Sequence, residues 1–130
     1  MGKYMDRAIE LRNDPTRHYN CAQSVLAAFA PDAGMSAEDA CRVSANFGSG
    51  MKMGGTCGAV TGALMVLGLY GIEDATAVGR LLRAVRDNHQ GCLNCADLLR
   101  MNKEAGGQQK PHCDGMVYEC VAILEEMLAK

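Results

Sequence analysis

The stretch "FGSGMKMGGTCGAVTGALMVLG", Phe47 to Gly68, joins a glycine-rich loop to a smooth apolar run, with Cys57 at the junction. From about Cys57 the run reads as a long helix that reaches the Gly68–Gly71 region. The segments on either side carry the same signal. "YMDRAIELRND" sets Met5 and Ile9 among charged residues, and Pro15 closes it. "NCAQSVLAAFA" ends before Pro31. "SAEDACRVSANF" opens on Ser36 with Asp39 three residues on, close to a capping box. "EDATAVGRLLRAVRDNH" repeats Leu and Val at helical spacing, and "NCADLLRM" is a short helix. "GGQQKPH" reads as a loop. "DGMVYECVAILEEMLAK" is a final amphipathic helix with Val117, Val121, Leu124 and Leu128 on one side. No alternating strand pattern persists. The expected fold class is therefore all-α: a compact single-domain bundle of about five to seven helices with a glycine-rich loop.

The 130 residues fit one domain, positions 1–130, large enough to bury a core without metals or staples. A net charge of −2 gives no bulk attraction to nucleic acid or to an anionic membrane. Aromatics are scarce and Trp is absent, which disfavours base-stacking platforms. "MGKYMDRAIELRND" has no long apolar core behind a basic start, so no signal peptide is expected. The longest apolar run, roughly Ala59 to Ile72, contains glycines and is too short to span a bilayer. A cytoplasmic location is expected. The chain carries seven cysteines. In a reducing compartment that usage points to metal, cluster or redox chemistry rather than a disulfide scaffold. The plain alternative is that several are small buried hydrophobes.

Three sites share one layout: Asn20-Cys21-Ala22-Gln23, Thr56-Cys57-Gly58-Ala59 and Asn94-Cys95-Ala96-Asp97. Each begins with a good N-cap residue and puts a cysteine at the first helical position. Gln23 and Asp97 lie where a side chain can return to the cap's N–H. Cys113 stands just before the last helix, with Asp114 as the expected cap. A first helical turn has unpaired N–H groups and partial positive charge, which favours thiolate over thiol. Cys57 is thus the expected activated nucleophile. Gly54, Gly55 and Gly58 let backbone or a bound cofactor approach its sulfur, and Lys52 adds positive charge.

The remaining cysteines read differently. Cys41 sits mid-helix and is expected to fill the core. Cys120 lies seven residues after Cys113 and also belongs to the apolar stripe of Val117 and Val121. Cys92 completes a single C-x-x-C with Cys95, with neither a βαβ pattern nor a second C-x-x-C around it. His18, His89 and His112 each lie near a cysteine, as a metal ligand or a base would. Arg80, Arg83 and Arg86 form a solvated basic stripe. Met51 and Met53 pack the glycine loop.

Taken together, "YNCAQSVLAAFA", "FGSGMKMGGTCGAVTGALMVLG", "LNCADLL" and "HCDGMVYECVAILEEML" resemble the C_GCAxxG_C_C family, in the family's order from about Tyr19 to Leu128. The resemblance implies redox activity and implies that Cys21, Cys57, Cys95 and Cys113 are the named cysteines. Thr56-Cys57-Gly58 stands where the family's name spells Gly-Cys-Ala, and Cys41, Cys92 and Cys120 lie outside its pattern. A related domain in split-Soret cytochromes is associated with an iron–sulfur centre, which implies ligation as the rival.

The leading expectation is a cysteine-based redox protein working with an unidentified redox partner. In it Cys57 attacks, and Cys21, Cys95 or Cys113 resolves the mixed disulfide. The first alternative is a [2Fe–2S] cluster or zinc held by Cys21, Cys57, Cys95 and Cys113. The second is a structural protein with inert thiols. Either chemical reading requires the four sulfurs, from four separate helix starts, to meet in one pocket.

Overall fold

A computed structural model describes residues 2–129. Lys130, the end of the last quoted stretch, lies outside them. The described residues form seven α-helices: α1 (Lys3–Arg12), α2 (Cys21–Phe29), α3 (Ala37–Ser44), α4 (Gly58–Leu69), α5 (Ala75–Asn88), α6 (Cys95–Glu104) and α7 (Gln109–Leu128). Strand pairing among them is limited to one antiparallel bridge, Thr56 to Asn94. The all-α expectation holds. Among the described residues no helix is long and apolar enough to cross a membrane.

Local chemistry sets several boundaries as the sequence indicates. Asn20 and Gln23 form a capping box: the Gln23 N–H donates to Asn20 Oδ1 at 2.9 Å, and the Asn20 N–H donates to Gln23 Oε1 at 3.0 Å. Ser36 caps α3 through the N–H of Asp39; the structure adds a cap at Asp74, which accepts from the Ala77 N–H at the start of α5. Two boundaries differ from expectation. "GGQQKPH" is not all loop, because α7 starts at Gln109 and Pro111 sits in its first turn, where a missing N–H costs nothing. Asp97 does not close a capping box at α6; its carboxylate takes Arg100 at 3.1 Å instead.

Helix α2 is apolar on nearly every side and occupies the centre, packed against α1, α3, α4 and α7. Val25, Leu26 and Phe29 are fully buried with Val60, Val66 and Leu67 of α4 and Val117, Val121 and Leu124 of α7. Each such side chain contributes about 1.5–3 kcal/mol of apolar transfer. The α7 residues are those of the stripe read from the sequence.

The α2–α4 crossing depends on glycine. A Cβ at Gly62 would meet the Ala22 carbonyl oxygen at 2.9 Å and Val25 Cβ at 3.2 Å. One at Gly58 would meet the Phe47 carbonyl oxygen at 2.9 Å and the Ala22 nitrogen at 3.1 Å. These are backbone obstacles that rotamer changes do not relieve. Gly62→Val is therefore expected to cost about 3 kcal/mol, the upper end of ordinary overpacking. Urea unfolding checks this; a change within about 0.5 kcal/mol contradicts so close a crossing.

Candidate functional site

The close α2–α4 contact sets Cys21 beside the start of α4: a Cβ at Gly58 would lie 3.4 Å from Cys21 Cβ. Backbone pairing then joins the glycine loop to the start of α6. The Cys57 N–H donates to the Leu93 carbonyl at 2.8 Å, and the Cys95 N–H donates to the Gly55 carbonyl at 2.6 Å. Helix α7 closes the group. Arg12 Nε, at the end of α1, donates to Asp114 Oδ1 at 2.7 Å, and the Cys21 thiol points to the Cys113 carbonyl at 3.9 Å. The result is a cavity of about 350 Å³ lined by Cys21, Cys57, Cys95 and Cys113.

The four cysteines reach it in different ways. Cys21 and Cys95 are the first residues of α2 and α6, as expected. Cys57 is itself the N-cap of α4 rather than its first helical residue. Thr56 is held in the bridge to Asn94, so the helix starts one residue late. Cys113 lies inside α7, in its second turn, and Asp114 is an ion-pair partner rather than a cap. Of the three glycines proposed as contacts, only Gly58 lines the cavity. Gly54 has φ +73° and faces Ala96 Cβ, and Gly55 faces Met51 and Gly50, so both shape the loop.

The electrostatics correct the expectation for Cys57. Its thiol is buried, and burial pushes its pKa up to about 11 despite backbone N–H groups of Ala59 and Val60 aimed at the sulfur. Lys52 gives no help; its ammonium binds Asn46 Oδ1 at 2.9 Å on the exposed loop. Cys113 moves the other way, down to about 7. A hydrogen bond from the Cys21 thiol is the largest cause; burial opposes it, and the charges of Arg12 and Lys110 assist while Asp114 opposes. Cys21 correspondingly holds its proton, raised by that same hydrogen bond and by burial. Cys95 is raised by burial and by the charge of Cys113. These opposite directions favour Cys113 over Cys21 as the more acidic thiol.

The other candidates lie apart from this chemistry. Cys41 is buried in the core, and Cys120 is fully buried on α7. Cys92 is half-buried and outside the cavity, so the C-x-x-C contributes only Cys95. His18 and His112 line the cavity, whereas His89 binds Glu119 Oε1 at 2.8 Å. Burial and the nearby His89 lower the pKa of His112, which favours its neutral form.

The sulfur donors suit a cluster or zinc in kind, but not in arrangement. Among the described residues no three Cys, His, Asp or Glu side chains stand where they could hold one metal ion. The four-thiolate ligand set does not fit this geometry.

Sequence reasoning missed Arg12 and read Asp114 as a cap rather than as Arg12's partner. Asp114 and Lys110 flank Cys113 at i+1 and i−3, a local signal that was available. Arg12 lies 102 residues from Asp114, and nothing local marks it.

Fold and site together define a helical protein with a cavity lined by four thiols and by basic side chains that include Arg12 and Lys110. The family described as "Putative redox-active protein (C_GCAxxG_C_C)" matches residues 19–127, most of the chain, and the chain belongs to it. Neither a curated protein nor a solved structure matches the chain.

Proposed function

We propose that the protein performs thiol–disulfide exchange with Cys113 as nucleophile and Cys21 as resolving thiol. The observation that carries this reading is the approach of Cys21 to Cys113, with the Cys21 sulfur 3.9 Å from the Cys113 carbonyl oxygen, in a cavity lined by both thiols, Arg12 and Lys110. The more acidic Cys113 supplies a thiolate at neutral pH, and the approach holds the second sulfur within reach of the first. In the first step the Cys113 thiolate bonds to one sulfur of a disulfide and expels the other as thiolate. In the second, Cys21 gives up its proton, bonds to the Cys113 sulfur and expels the remaining substrate thiolate. The protein dithiol loses two electrons and the substrate disulfide gains them. A dithiol donor, the redox partner of this reading, would restore the reduced pair. Such chemistry, with seven cysteines, suits a reducing compartment such as the cytoplasm. Cys57 and Cys95 become wall residues of the site, in place of the attacking role expected for Cys57.

Reduced protein treated with one equivalent of a small disulfide should lose two thiols per chain, and peptide mapping should find Cys21 joined to Cys113. A different connectivity, or freshly purified protein that retains one equivalent of metal on these sulfurs, would sink the proposal.

A further inference from the structure

We infer that the cavity selects a small disulfide that carries a carboxylate, with the carboxylate placed against Arg12. This substrate class rests on the exchange reading above. The size of the cavity, about 350 Å³, lies near the lower end of small-molecule pockets, roughly 300–1,000 Å³. It suits a short two-armed molecule rather than a folded segment of another protein.

The lining supplies the sign. Arg12, Lys110, His18 and His112 face the cavity, and neither Asp nor Glu is among the lining residues. Asp114 is not a lining residue, and both its oxygens engage these cations: Oδ1 accepts from Arg12 Nε at 2.7 Å, and Oδ2 accepts from Lys110 Nζ at 2.9 Å. One carboxylate thus faces two cations. The Cys113 thiolate balances the remaining charge only until it attacks. Once its sulfur is in a disulfide, a positive charge is left for a substrate anion.

Arg12 also has donor capacity left over. Its side chain is only 5% exposed, yet it is fixed by two bonds, Nε to Asp114 and Nη1 to the Tyr19 carbonyl at 2.8 Å. Nη2 makes no hydrogen bond among the described residues. No fully buried side-chain nitrogen or oxygen among them lacks a partner, so Nη2 keeps some solvent access. The cavity is the space that Arg12 lines. A guanidinium edge fixed in this way is suited to a carboxylate. Lys110 is 63% exposed and stands at the rim, where it steers an anion inward. Leu98, Leu99 and Met116 offer apolar contact to the carbon arms.

The test uses the reduced full chain and three symmetric disulfides: dithiodipropionate (a dicarboxylate), hydroxyethyl disulfide (neutral) and cystamine (a dication). Mixed-disulfide formation at Cys113 is followed by mass spectrometry, and each rate is divided by that of a free thiol in solution with the same reagent. The dicarboxylate is expected to be favoured over the neutral disulfide by about tenfold, with cystamine slowest. Raised salt and Lys110→Gln should each shrink that ratio, and Arg12→Gln should remove it. If Arg12→Gln does not fold, the exposed Lys110→Gln variant and the salt series still decide. Equal normalised rates, or cystamine fastest, overturn the anion selectivity and leave the exchange reading standing. Failure of all three reagents to react at Cys113 overturns the exchange reading and this inference with it.

Discussion

Cys113→Ser is expected to abolish the fast phase of thiol alkylation at pH 7 and slow modification of the cavity by about 50-fold. That factor is the ratio of thiolate fractions between a thiol near 7 and one about two units higher. The fast phase in the native protein should titrate with a midpoint near the Cys113 value of about 7. Cys57→Ser should leave both rate and midpoint nearly unchanged, because burial holds that thiol protonated up to about 11. Cys21→Ser should lie between. A serine hydroxyl still donates to the Cys113 sulfur, so fast alkylation survives, but no resolving sulfur remains and a mixed disulfide with substrate accumulates. Stopped-flow alkylation across pH, with mass mapping of the label, checks all three. A fast phase that persists in Cys113→Ser and vanishes in Cys57→Ser would restore Cys57 as the nucleophile and overturn the assignment.

The contest between Cys57 and Cys113 shows what the sequence can carry. A cap position beside glycines is legible, and so is the pull of helix N–H groups on a sulfur. The depth of Cys57 is not: it follows from α2 and α4 lying close over Gly58 and Gly62, and there burial wins. The capping box at Asn20, the cap at Ser36 and the stripe on α7 were legible because each is settled within a few residues. The start of α7 was hidden because Pro111 reads as a breaker except in a first turn. The glycine loop was opaque for another reason. Ser49, Met51 and Lys52 are left-handed although none is glycine, so composition gave no sign of the path that carries Lys52 away from Cys57. That four cysteines would share a cavity was suggested by their repeated layout and by the family resemblance. The charge that favours thiolate at Cys113 comes in part from Arg12, an ordinary-looking residue in the last turn of α1.

Arg12 carries the second large effect. Arg12→Leu is expected to destabilise the protein by about 3 kcal/mol at pH 7, the scale for removing one partner of a buried ion pair. The Asp114 carboxylate, 18% exposed, would keep only Lys110 at the rim, and the Tyr19 carbonyl would lose its donor. The effect should depend on pH with a definite sign. Burial alone would raise the Asp114 pKa, but the hydrogen bonds and charges of Arg12 and Lys110 outweigh it and hold it below the ordinary carboxylate value. A carboxylate depressed on folding contributes stability above its unfolded pKa, near 4, and loses it as pH falls through the folded value. The gap between native protein and Arg12→Leu should therefore be widest at neutral pH and narrow in acid. The same substitution withdraws the charge that helps hold Cys113 as thiolate and leaves Asp114 opposing it, so the alkylation midpoint should rise above 7. Arg12→Lys should recover part of the midpoint but less of the stability, because an ammonium keeps the charge without the planar fork that binds Asp114 and Tyr19 together. Urea melts at neutral and acid pH, run beside the alkylation profile, measure both consequences. A gap independent of pH, with an unmoved Cys113 midpoint, would mean that Arg12 only packs and that the thiolate owes its stability to Cys21 and Lys110.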